Sequence, residues 1–183
     1  MSIRLNREET SLLMLDLQER LLPFIHRNEA VIQNAVRLMK AANILSLPVL
    51  YTEQYVKGIG STVEEVRSAL PEGARRFEKV CFSCCDEPGF FKVLQEVSLP
   101  TIVIFGTESH VCVFTTAEDL LDKGWKIVVA ADASGSRDRE NHLMAMETLR
   151  SHGALILPTE TIVYRLLRKA ATPEFKAVLP LFK

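Results

Sequence analysis

The sequence predicts an α/β fold: a three-layer α/β/α arrangement on a six-stranded, mainly parallel sheet. Two observations carry this. Short apolar, partly β-branched runs alternate with longer amphipathic segments along the whole chain, the mark of strand–helix–strand units. No repeat, low-complexity tract or linker interrupts that alternation, so residues 1–183 read as one domain.

Each element has its own signal. Ser11–Leu15 is the first strand. A helix follows from about Glu29 to Leu45, with Val31, Ala35, Leu38, Ala42 and Leu45 along one face. Pro48 breaks it and starts the second strand, Val49–Thr52. Glu64–Leu70 is a short helix ended by Pro71-Glu72-Gly73, before the third strand, Arg76–Val80. Phe90–Val97 is helical and stops before Pro100, and Thr101–Phe105 is the fourth strand. Val113, Ala117, Leu120 and Leu121 recur at helical spacing, and Ile127–Ala130 is the fifth strand. Asp138–Ser151 is a helix closed by Gly153, and Ala154–Leu157 is the last strand. Thr159 and Thr161 open a helix near Ile162–Lys169, and Pro173–Leu179 forms the final one. The apolar residues of Phe175–Phe182 suit either an interface with another copy or docking on their own subunit.

Composition narrows the class of partner. A chain of 183 residues, 48% hydrophobic and 25% charged, can bury a core without disulfides or metal. Net charge is −1 with the two signs interspersed, which offers neither a nucleic-acid groove nor a membrane-surface patch. No apolar run approaches the length of a spanning helix, and Glu8 and Glu9 interrupt any signal-peptide pattern. Three of the four cysteines crowd at 81, 84 and 85, unlike a secreted disulfide framework, so the expected setting is cytoplasmic.

In such sheets ligands bind beyond the carboxyl ends of the strands, where strand order reverses. The strand ends here supply an acid, Asp16, a base, Lys79, and a thiol, Cys112. Cys112 falls where a strand hands over to a helix, near unpaired backbone N–H groups and the positive end of a helix dipole, a setting that favours thiolate. An ammonium at Lys79 would pair with Asp16 and favour the same thiolate, while Asp16 is suited to take the thiol proton and return it to a leaving amine. Gln18, Glu53, Tyr55 and Phe82 lie beside predicted strand ends and are candidate substrate-binding residues; for Glu53 a structural acceptor role is the alternative. Arg137 reads either as a carboxylate ligand or as a residue capping or flanking the following helix.

Five ordered motifs then support a family resemblance. Leu13-Met14-Leu15-Asp16-Leu17-Gln18-Glu19, Thr52-Glu53-Gln54-Tyr55-Val56-Lys57-Gly58-Ile59-Gly60, Glu78-Lys79-Val80-Cys81-Phe82-Ser83, Phe105 through Cys112 and Ala130 through Arg137 run in the order seen in isochorismatase-like cysteine hydrolases. The match spans roughly Leu12 to Leu179 and is most similar to the short isochorismatase-domain proteins. The resemblance implies a triad of Asp16, Lys79 and Cys112 and a cis peptide at Thr107–Glu108. It also implies an oxyanion hole from the backbone N–H groups of Glu108 and Cys112, and homo-oligomeric assembly. It implies a small-molecule substrate and no cofactor.

Two departures sharpen it. The nicotinamidase branch binds metal through an Asp-x-His pair after the second strand, whereas Glu53-Gln54-Tyr55-Val56-Lys57 has no His, so no metal is expected. Members committed to vinyl-ether hydrolysis need no nucleophilic thiol, so Cys112 tilts the expectation towards a small amide or related C–N substrate cleaved through a thioester. The alternatives are a vinyl-ether hydrolase, a binding or scaffold protein that keeps the fold, and a thiol-redox protein using Cys81-Phe82-Ser83-Cys84. His110 is close in sequence to Cys112, but in a tight turn its ring is expected to point away.

Overall fold

A computed structural model describes residues 5–183. Six strands form one sheet: β1 (Thr10–Leu15), β2 (Val49–Gln54), β3 (Arg75–Lys79), β4 (Thr101–Gly106), β5 (Lys126–Ala130) and β6 (Leu155–Leu157). Their spatial order is β3-β2-β1-β4-β5-β6 and every pairing is parallel. Chain order therefore reverses between β1 and β4, which makes the carboxyl end of that pair the switch-point crevice.

The helices follow the predicted order: α1 (Asn28–Leu45), α2 (Val56–Ile59), α3 (Glu64–Arg67), α4 (Phe90–Val97), α5 (Cys112–Asp122), α6 (Arg139–Ser151), α7 (Thr159–Leu167) and α8 (Pro173–Val178). The short α2 has no counterpart in the sequence expectation, and α3 is shorter than Glu64–Leu70. Ala69 and Leu70 still bond three residues back, to Val66 and Arg67 carbonyls, so the last turn tightens rather than unravels.

Strand alternation divides the core. Leu12, Met14, Val103, Phe105, Val128 and Ala130 face the layer containing α1 and α7. Leu13, Leu15, Ile102, Ile104, Ile127 and Val129 face the layer containing α4, α5 and α6. Burying such side chains contributes about 1.5–3 kcal/mol each, and both faces are used, which is why the central strands read as continuous apolar runs. The C-terminal segment docks on its own subunit: Tyr164 meets Phe175 and Phe182, and Arg37 Nε donates to the Leu181 carbonyl at 2.8 Å.

Gly106 ends β4 opposite Leu15, with φ +126°. A Cβ there would lie 1.9 Å from the Leu15 carbonyl oxygen, so only glycine lets the two strand ends approach. This close approach brings the segments after β1 and β4 together.

Candidate active site

Asp16 is the first residue past β1, in left-handed backbone geometry with φ 52°. Its amide donates to the Thr52 carbonyl at 3.2 Å and its carbonyl accepts from Thr107 Oγ1 at 2.6 Å, which ties β1 to both neighbours. Lys79 ends β3 two strands away, and its chain is long enough to reach inward. Lys79 Nζ stands 2.7 Å from Asp16 Oδ2, and both side chains are fully buried. The ammonium also donates to Gln54 Oε1 at 2.7 Å and to the carbonyls of Cys81 and Phe82 at 3.2 and 3.4 Å. Burial works against its charge, but the acidic groups of Asp16, Cys112 and Cys84 outweigh this and raise its pKa above the ordinary lysine value. Thr52 Oγ1 donates to Asp16 Oδ1 at 2.6 Å, and Asp16 Oδ2 is buried facing the Lys79 ammonium.

Cys112 is the first residue of α5 and is only 5% exposed. Its Sγ donates to Gln54 Oε1 at 3.1 Å. Burial pushes the thiol pKa up to about 12; Asp16 adds to the rise and Lys79 opposes it. This corrects the expectation of a low-pKa thiolate at rest. The helix N-terminus and the lysine are both present, but desolvation of a sulfur anion outweighs them.

The segment leading to Cys112 is unusual. The Thr107–Glu108 peptide is cis. Val111 and Val113 both donate to the Glu108 carbonyl, while among the described residues neither the Glu108 nor the Cys112 amide donates to a protein acceptor. Two unpaired N–H groups beside a nucleophile's position are what an oxyanion needs. The Glu108 side chain accepts from the Arg137 amide at 3.0 Å and from its Nε at 3.2 Å. A cavity of about 410 Å³ borders this side, lined by Arg20, Leu21, Phe24, Gly58, Ile59, Glu108 and Arg137.

The other predicted residues separate. Gln18 is fully buried and spends its amide on the chain: Nε2 donates to the Gln54 and Gly60 carbonyls, and Oε1 accepts from the Gln54 amide. Glu53 accepts from the Thr62 amide at 2.7 Å and from Arg76, which gives it the structural role already weighed against a substrate contact. Tyr55 and Phe82 are exposed, 57% and 62%, next to the ends of β2 and β3. The His110 ring engages Ser136 Oγ at 2.9 Å. Asp138, not Arg137, caps α6. All four cysteines are free; Cys84 is fully buried with its amide bonded to Thr116 Oγ1, and Cys81–Cys84 opens no helix of the redox type. No cluster of three or more His, Cys, Asp or Glu able to hold a metal occurs among the described residues.

Gln54 is the residue that sequence reasoning passed over. It stood in the quoted motif beside Glu53, yet its bridging place between Lys79 and Cys112 follows from strand pairing. In the parallel register of β2 and β3, Gln54 sits opposite Lys79. That register would have pointed to it.

Comparison with known proteins agrees with this architecture. A family model for the isochorismatase domain matches residues 10–161. Isochorismatase domain-containing protein 2A of Mus musculus is 35% identical over 181 residues, which is 98% of this chain and 85% of that protein. MAR1 ribonuclease from Caenorhabditis elegans superposes with a TM-score of 0.92 at 34% identity, covering 98% of this chain and 92% of that one. YcaC from Escherichia coli, described as an octameric hydrolase of unknown specificity, shares the fold with a TM-score of 0.92 at 22% identity, over 100% of this chain and 90% of that one. With the domain matched over most of its length and a relative this similar end to end, the chain belongs to the isochorismatase-domain family.

Proposed function

We propose that this protein is a cysteine hydrolase of a small amide or related C–N compound, working through Asp16, Lys79 and Cys112 and a thioester intermediate. The observation that carries the reading is the fully buried Asp16–Lys79 pair at the switch point, facing a thiol at a helix N-terminus with two unpaired amides beside it. A fully buried charge pair is costly as a structural device and useful as an acid/base.

In this mechanism Asp16 Oδ2 takes the proton of Cys112 as the sulfur attacks the substrate carbonyl carbon. Lys79 balances the growing negative charge, and the amides of Glu108 and Cys112 hold the oxyanion. The tetrahedral adduct collapses with cleavage of the C–N bond; the amine leaves with the proton from Asp16, and the acyl group stays on sulfur. Water deprotonated by Asp16 then attacks the thioester, and the thiol is regenerated. Tyr55 and Phe82 supply an apolar rim at the strand ends, and Arg20 and Arg137 would suit a substrate carrying a carboxylate.

The test is a hydrolysis screen over small amides, ureides and vinyl ethers, with intact-mass detection of the adduct. An acyl mass on Cys112 that Cys112→Ala abolishes, with turnover lowered by about three orders of magnitude or more, is the expected result. Full activity in Cys112→Ala overturns the covalent route, and turnover of vinyl ethers alone replaces the C–N assignment. Because the similar worm protein bears a ribonuclease name, RNA is included as a substrate. Cleavage of RNA that persists in Cys112→Ala would also overturn the reading. Homo-oligomerisation belongs to the same proposal, with Phe24, Leu143 and Met144 exposed and available; light scattering measures it.

A further inference from the structure

The side-chain amide of Gln54 has a forced orientation. Its oxygen stands 2.7 Å from Lys79 Nζ and 3.1 Å from Cys112 Sγ. A lysine ammonium has donors and no acceptor, so it turns the amide oxygen inward and leaves the NH₂ to the Val80 carbonyl, 3.4 Å away. The same oxygen faces the sulfur and can only accept. The sulfur must therefore carry the hydrogen, because a thiolate would set two acceptors against each other.

The acceptor that the reaction needs lies elsewhere. Asp16 Oδ2 is buried against the Lys79 ammonium, 2.7 Å away, while the sulfur lies 3.1 Å from Gln54 Oε1, so in this geometry the thiol hydrogen points to Gln54. We propose that Gln54 is a positioning residue that clamps Cys112 in a protonated resting form, and that attack begins when its amide withdraws from the sulfur. This rests on the reading of Cys112 as the nucleophile. On withdrawal the S–H bond breaks, an O–H bond forms on Asp16 Oδ2, and the electron pair stays on sulfur. The same movement frees one N–H of Lys79 to face that anion, while Asp16 Oδ2 and the Cys81 and Phe82 carbonyls keep the others occupied.

The movement is a side-chain rotation. Gln18 holds the Gln54 backbone from both sides, at 2.8 Å to its amide and 2.9 Å to its carbonyl, and also grips the Gly60 carbonyl at 2.6 Å. The clamp therefore releases without displacing β2. The titratable groups that act on the thiol are Asp16 from the end of β1, Lys79 from the end of β3, and Cys84 from the turn that follows it.

The test is the rate of Cys112 alkylation by iodoacetamide from pH 6 to 10.5, resolved from Cys81, Cys84 and Cys85 by peptide mass mapping. It compares the wild type with Gln54→Met and Gln54→Glu, whose side chains have similar bulk. Gln54→Met removes the strong acceptor; labelling at pH 7 is expected about tenfold faster, with the profile displaced about one pH unit towards acid. Gln54→Glu keeps an acceptor and adds negative charge, so its labelling is expected slower than wild type. Opposite shifts from side chains of one size are not what a packing role gives. If both variants follow the wild-type profile, or both move the same way, the clamp is overturned while a labelled Cys112 keeps its place as nucleophile. If Cys112 is labelled in none of the three proteins across the range, the nucleophile reading falls and the clamp with it.

Discussion

Two ion pairs lie at neighbouring strand ends, and they are built to opposite rules. Glu53–Arg76 joins β2 to β3; Glu53 accepts from the Thr62 amide on one oxygen and from Arg76 on the other, while Arg76, 43% exposed, also reaches Glu78. Asp16–Lys79 joins β1 to β3 with both side chains fully buried and 2.7 Å between Nζ and Oδ2. The first pair has its carboxylate saturated and its guanidinium partly in water, so it brackets the 53–62 loop. The second lies wholly in a dry site, where a charge that loses its partner costs most. That contrast separates a structural acid from the acid proposed to react.

The largest break in the contrast comes from leaving a buried charge alone. Lys79→Met should lose about 3–5 kcal/mol of unfolding free energy, because the Asp16 carboxylate is stranded. Adding Asp16→Asn to it should return a good part of that stability in urea titrations and none of the turnover. A Lys79→Met protein as stable as the wild type would mean the pair is not the buried unit described here. Arg76→Met should cost about 1 kcal/mol or less, since its partner keeps the Thr62 amide and its own head is half in solvent. The Cys112 alkylation profile should not move in that variant; a shift would join the two pairs into one network.

The fold was legible where local pattern suffices. Every predicted strand falls within two residues of the observed one, and for the central strands the reason is that apolar runs buried on both faces have few other readings. The short α2 was not legible: it starts after Tyr55, whose φ of 38° no local preference of tyrosine announces. Asp16, Lys79 and Cys112 could be named because strand ends at a switch point are where chemistry collects. Gln54 could not, since its place opposite Lys79 depends on the pairing of β2 with β3. The protonated thiol was hidden for a related reason. A helix N-terminus can be read from sequence, but the desolvation that overrides it belongs to the packed state.

The smallest effect concerns Glu53 and acid. Burial would raise its pKa, but the Thr62 and Arg76 hydrogen bonds prevail and hold it below the ordinary 4.5. A depressed folded value means that the unfolded chain takes up the proton first. The contribution of Glu53 is thus fully present above the ordinary value and is lost as pH falls through the lower folded one. Melting temperature should drop in the wild type below about pH 4.5, and in Glu53→Gln it should start lower and fall less steeply over the same window. Since no proton leaves Glu53 in the proposed chemistry, turnover near neutral pH should change far less in Glu53→Gln than in Asp16→Asn. Parallel melting curves would remove Glu53 from the acid response; a loss of turnover matching Asp16→Asn would erase the division between bracket and base.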